Sequence, residues 1–148
     1  MPNNPQQSKV VELFIPDLST RCEIPFYSCP ITAGFPSPAE SFLEGTLDLN
    51  THLIRHPAAT FFVRVVGDSM IGAGIFPGDI LIVDRSLEPQ DKNVVIAVVD
   101  SELTVKRLRF FKERLVLVPD NDAYPTIEIH QHQSFEIWGV VTASIHTL

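Results

Sequence analysis

The chain is short of basic charge and of cysteine, and it has no long apolar run. Eleven Lys plus Arg stand against eighteen Asp plus Glu in 148 residues, a formal net charge of −7. A surface built to neutralise the phosphates of a long duplex is therefore not expected. The Pro-rich first 40 residues offer no basic recognition helix, so direct, specific DNA binding is disfavoured. Two cysteines, Cys22 and Cys29, are too few for a disulfide scaffold and read as free thiols, with a zinc pair as the weaker alternative. Nowhere do eighteen apolar residues run together, and Met1 to Gln7 has neither a basic n-region nor an apolar h-region. A soluble, cytoplasmic protein without a membrane segment is expected. No cofactor or metal is expected either.

What is present is a strand-rich domain behind a Pro-rich arm. The chain is 45% hydrophobic, enough to bury one core of ordinary size. Eight of its twelve prolines and both cysteines precede Ala58. Up to about Pro38 only short apolar pieces occur (Val10-Val11, Leu13 to Ile15, Ile24 to Tyr27), broken by Pro, Ser and Thr. Such a pattern cannot close a core alone and predicts an extended arm with one or two docked strands. Ser37 and Pro38 could start a short helix running to Glu44, although a plain turn fits as well. From Ala58 onward the pattern predicts strands over 60–66, 79–84, 94–99, 102–110, 115–118, 126–129 and 135–145, with Gly and Pro between them. The fold class is all-β.

Gly67-Asp68-Ser69-Met70 follows directly on the expected strand 60–66, which places a hydroxyl where a rigid element must turn. Taken alone, the same residues also read as an ordinary turn. A nucleophilic serine needs a base, and the histidines are poorly placed for that role. His52 and His56 lie in a polar stretch, His130 and His132 alternate on an apparently exposed edge, and His146 is near the C-terminus; each reads as a solvated surface residue. Lys106 is the better candidate. Strand alternation puts Thr104, Lys106 and Leu108 on one face, so the amine shares its surroundings with a hydroxyl and a leucine. Moving a lysine from about 10.4 to about 7 takes about 4.6 kcal/mol, within reach of burial without a carboxylate partner. The neighbouring Arg107, Arg109, Lys112 and Arg114 keep an exposed strand lysine open as the alternative.

Gly67-Asp68-Ser69-Met70, then Pro77-Gly78-Asp79-Ile80-Leu81-Ile82-Val83-Asp84, then Thr104-Val105-Lys106-Arg107, in that order and spacing, resemble the LexA/UmuD-like self-cleaving proteins of the serine peptidase S24 class. Within the class the likeness is greatest to the UmuD-like branch, accessory subunits of error-prone translesion DNA polymerases. It is carried by Gly34 to Ala39, Asp48-Leu49-Asn50, His56-Pro57 and Ala59-Thr60, and by an arm in place of a helix-turn-helix domain.

The resemblance implies a β-clip catalytic core, with Ser69 as nucleophile and Lys106 as general base, a dyad in place of the commoner triad. It makes the backbone amides of Ser69 and Met70 the natural oxyanion donors. The scissile bond maps to Ala33-Gly34, dividing the chain into an arm of residues 1–33 and a core of residues 34–148. A second Ala-Gly pair, Ala73-Gly74, lies inside the catalytic motif and is discounted. The arm is longer than is usual in the family. Implied partners are a RecA–single-stranded DNA filament that stimulates cleavage in the SOS response, a second copy in a homodimer, and a UmuC-like Y-family polymerase subunit. The strand 135–145, with Trp138, is expected either as a paired edge at the dimer contact or as a core strand. Two rivals remain, a catalytically silent polymerase-binding module and a LexA-like transcriptional regulator. The type I signal peptidases, which also pair Ser with Lys, anchor in a membrane, and this chain shows no anchor.

Overall fold

A computed structural model describes residues 6–27 and 43–148. These fall into two compact units, one formed by the chain up to Pro16 together with His56–Leu148, the other by Asp17–Arg55.

The larger unit is an antiparallel sheet of β1 (Lys9–Phe14), β4 (Thr60–Val66), β5 (Ile80–Asp84), β6 (Val94–Val99), β7 (Glu102–Phe111), β8 (Arg114–Val118), β9 (Ile127–Glu128) and β10 (Phe135–Ile145). Its order is β1-β4-β5-β10-β6-β7-β8-β9, and β1 also meets β7 through Lys9 and Thr104. That extra pairing closes the first six strands into a barrel, with β8 and β9 as an extension. Val, Ile and Phe dominate β4 to β6, as suits a pleated and largely buried surface. Every other residue of β4 points inward: Phe61, Val63 and Val65 are buried and join Met70, Ile75, Leu81, Val83, Ile96 and Val105 in one core cluster. A second cluster, Val95, Ala97, Leu108, Leu117 and Val140, covers the opposite face of β6 and β7. Lys106 stands on β7 beside that second face.

The expected strands over 60–66, 94–99 and 135–145 occur with those bounds, and the other four differ by one residue at one or both ends. The strand 135–145 is not an edge. It pairs with β5 on one side and β6 on the other, and Trp138 packs edge-on against Phe61 at 6.4 Å. Phe135–Val140 pair with β6 and Val140–Ile145 with β5, so the strand is a core strand of the sheet.

The smaller unit pairs β2 (Glu23–Tyr27) antiparallel with β3 (Leu43–Asp48). A short helix α1 (Leu49–Leu53) follows at once, because the Asp48 carboxylate caps the Asn50 amide at 3.0 Å. The helix expected over 38–44 lies mostly outside the described residues, and its last two positions belong to β3 instead. Among the described residues no helix is long and apolar enough to cross a membrane.

Candidate active site

Ser69 sits in the turn that leaves β4. Gly67 makes this turn at a φ of 86°, a region that penalises side chains. The fully buried Met70 plugs the turn into the barrel core. Asn121 donates to the Asp68 carbonyl at 2.9 Å, and the Tyr124 hydroxyl donates to the Asp68 carboxylate. Desolvation and this carboxylate together push the Tyr124 hydroxyl up to about 12. Behind the turn, Gly72 donates to the Asp120 carbonyl at 2.8 Å, an approach so close that a Cβ on Gly72 would lie 2.5 Å from that oxygen. The nucleophile candidate is thus held from two sides by residues of the β8–β9 connection.

Lys106 comes from β7 to meet it. Its Nζ lies 3.2 Å from Ser69 Oγ, 3.1 Å from Thr104 Oγ1 and 3.0 Å from the Val105 carbonyl. Both Ser69 and Lys106 are fully buried, and Lys106 is among the largest side chains that are. Among the described residues no carboxylate is within hydrogen-bond reach of the amine. Burial therefore pushes the lysine down to about 8, with only Glu102 acting in the opposite sense. At neutral pH about one molecule in ten carries a neutral amine. Such an amine can accept the serine proton, which a lysine at its ordinary value rarely could.

The backbone amides of Ser69 and Met70 donate to no acceptor among the described residues. Ala73-Gly74 ends the 3-10 turn Ile71–Ala73 behind the serine. Ala33, Gly34 and Cys29 lie outside the described residues, while Cys22 is an exposed free thiol. No cluster of three metal-ligating side chains occurs among the described residues.

The histidines are not near Ser69, but two of them are not simple surface residues. His56 Nδ1 is 2.6 Å from the buried Asp84, and His146 Nδ1 is 2.6 Å from the buried Asp79. Burial raises the Asp84 carboxyl, and the bonds from Ser86 and His56 outweigh it and hold the group below its usual range. His130 and His132 are exposed in the β9–β10 connection, past the end of β9 rather than on a strand. Neither aspartate pairing has a sequence signal, since the partners are 28 and 67 residues apart. Sequence alternation did not indicate one further feature: the N-terminal residues Gln6 to Lys9 lie across this turn, and the Ser8 amide donates to Ser69 Oγ at 2.8 Å.

Residues 25–142 match the Peptidase S24-like family. Protein SamA of Salmonella typhimurium is 52% identical over 118 residues, covering 80% of this chain and 80% of that protein. Protein MucA of Escherichia coli is 46% identical over 123 residues, 82% and 84% of the two chains. The LexA repressor of Anaeromyxobacter dehalogenans is 36% identical over 126 residues, 83% of this chain but 54% of the repressor.

Proposed function

The chain belongs to the Peptidase S24-like family, and from that premise we propose that it is a serine-lysine endopeptidase acting mainly on itself, at Ala33-Gly34. The observation that carries this reading is the fully buried amine of Lys106, 3.2 Å from Ser69 Oγ and without a carboxylate partner among the described residues. In the reaction, neutral Lys106 takes the hydroxyl proton as Oγ attacks the Ala33 carbonyl carbon. The Ser69 and Met70 amides face the developing oxyanion. Lys106 then returns the proton to the Gly34 nitrogen, the Ala33–Gly34 bond breaks, and water hydrolyses the acyl-serine at Ala33. Because the substrate is tethered, proximity can offset roughly 7–11 kcal/mol of barrier, and a dyad suffices.

Cleavage separates an arm of residues 1–33 from a core of residues 34–148. The arm includes β1, which after the cut is held to the barrel by non-covalent contacts alone, its strand pairing with β4, the packing of Val10 and Phe14 and the Glu12–Arg64 ion pair. The processed core, as a homodimer, serves with a UmuC-like Y-family subunit in an error-prone translesion polymerase. Cleavage is stimulated by a RecA–single-stranded DNA filament. The relatives SamA and MucA, matched over four fifths of their length, support this branch over a repressor, because the LexA match covers little more than half of that protein.

Incubation of the full chain with RecA filaments, or at alkaline pH, followed by mass spectrometry tests the reading. A core whose first residue is Gly34 is expected from wild type and none from Ser69→Ala. If both stay at full length beside a RecA preparation that is active on another substrate, the chain is a silent binding module instead.

A further inference from the structure

The peptide-binding side of Ser69 is already filled. Four contacts hold the segment Gln6–Lys9 there. The Ser8 amide donates to Ser69 Oγ at 2.8 Å, and Asp68 N–H donates to the Gln6 carbonyl at 2.9 Å. The Ser8 carbonyl accepts from the Val105 amide and from Thr104 Oγ1, both at 3.2 Å. The segment therefore bridges the nucleophile turn and β7, as an added strand does when a sheet edge takes up an extended peptide. It continues directly into β1, which is zipped along β4 from Lys9 opposite Val66 to Phe14 opposite Phe62. Gly67 is what permits the approach, since a Cβ there would lie 2.3 Å from the Gln7 carbonyl oxygen.

This occupant is bound, but not as a substrate about to be cut. A serine oxygen carries two lone pairs and one proton. With Lys106 charged, the amine and the Ser8 amide both donate to Oγ, and neither lone pair is free to attack. With Lys106 neutral, the hydroxyl proton goes to the amine, yet an N–H still stands where a carbonyl carbon is needed. The Gln7 carbonyl rests against Gly67, and among the described residues it takes no bond from the Ser69 or Met70 amide. Ser8, Ser69 and Lys106 are all fully buried, so water and any other peptide are kept out.

Two features make the plug removable. Gln7 Oε1 and Ser8 Oγ are buried without a hydrogen-bond partner among the described residues, so departure returns two unsatisfied oxygens to water. A cleft of about 310 Å³ lined by Gln7, Lys9, Glu102, Thr104 and Gln133 leaves one flank of the segment open.

We propose that residues Gln6–Lys9 are a built-in pseudosubstrate that occupies the peptide site of Ser69, and that the arm's own scissile bond reaches the serine only after they leave. The proposal rests on the self-cleavage reading for its consequence, but not for its occupancy. Ala33-Gly34 lies more than twenty residues downstream of the plug, and one cleft cannot hold both. A stimulating partner then acts by capturing the unplugged state, and the resting rate is the open-state rate multiplied by the fraction of molecules that are open.

The test uses the full chain, the chain without residues 2–8, and Ser8→Pro, which removes the amide proton together with the Ser8 hydroxyl and puts a ring where the N–H met Ser69. Each is made in two backgrounds. With Ser69→Cys, the rate of iodoacetamide labelling at position 69 is read by peptide mapping, with the exposed Cys22 as internal standard. With Ser69 intact, spontaneous cleavage is followed. Both plug variants should label position 69 at least about tenfold faster than the full chain, with Cys22 unchanged, and cleavage should rise in parallel. Equal labelling with and without residues 2–8 overturns the plug. So does a product beginning at Ser8, since the segment would then be a substrate. Faster labelling with no cleavage in any variant leaves the plug standing and removes the self-cleavage reading instead.

Discussion

The two faces of β7 treat the same charge in opposite ways. Arg107 turns toward Asp120, donates its Nε–H to both carboxylate oxygens at 3.0 and 3.1 Å, and donates from Nη1 to the Lys92 carbonyl at 2.7 Å. That carboxylate raises the guanidinium above its already high value. One residue earlier, on the other face, Lys106 meets only two hydroxyls and a carbonyl and falls to about 8. Arg107 is a structural cation that anchors the connection carrying Asp120 and Asn121. Lys106 is a buried amine that gives up its proton more readily than an ordinary lysine. What separates them is burial together with one carboxylate: Arg107 is partly exposed and paired, Lys106 is fully buried and unpaired among the described residues.

Exchanging the roles gives the largest effect. Lys106→Arg puts a cation beside Ser69 that cannot lose its proton, and Lys106→Ala removes the amine altogether. In either variant, self-cleavage should fall by about 10²–10⁴, measured as the yield of product beginning at Gly34. A wild-type rate in Lys106→Ala would remove the dyad. The next largest effect is on stability. The folded amine titrates near 8 and the unfolded one near its ordinary value of 10.5, so between those limits the unfolded chain binds more protons. Wild-type stability should therefore rise by up to about 3 kcal/mol as pH goes from 8 to 10.5. Denaturant midpoints at the two ends of that window measure it. Lys106→Met, which has nothing to titrate, should lack the rise and be the more stable protein at pH 7.

Arg107→Ala strips Asp120 of its partner in a half-buried place and should cost about 1.5–3 kcal/mol in the same unfolding measurement. It should leave the pH dependence of cleavage unchanged. The smallest effect is in the rate itself. Cleavage should climb roughly ninefold from pH 7 to 9 as the neutral fraction of Lys106 goes from about one tenth to about nine tenths. A flat profile would mean that another group takes the proton.

Much of the site could be read before the fold was known. The turn Gly67-Asp68-Ser69 announces itself by following a run of β-branched and aromatic residues. The period of two in Thr104, Lys106 and Leu108 correctly sets the lysine on a buried face. What escaped that reading depends on chain segments far apart. The strand Phe135–Ile145 has the composition of either an edge or a core strand, and only its place between β5 and β6 settles which it is. His56 and His146 look like polar surface residues until buried aspartates from β5 and its approach are brought up to them. Short helix α1 was missed because Asp48 caps it from the last residue of a strand.

Local order is a matter of neighbours along the chain, which is why alternation and turn residues were sufficient for the β class and for placing Ser69 in a turn after a strand. The pairing of distant strands follows another logic, because it is decided by which hydrophobic faces can be buried together and which backbone groups remain to be satisfied. Only the tertiary structure brings Lys9 between Val66 and Thr104, closes the barrel with a strand from the arm, and lays Ser8 on the nucleophile. Nothing in the polar sequence Gln6-Gln7-Ser8-Lys9 marks it as a plug. Its role comes from the backbone donors and acceptors it offers to a cleft built by residues 58 or more positions away.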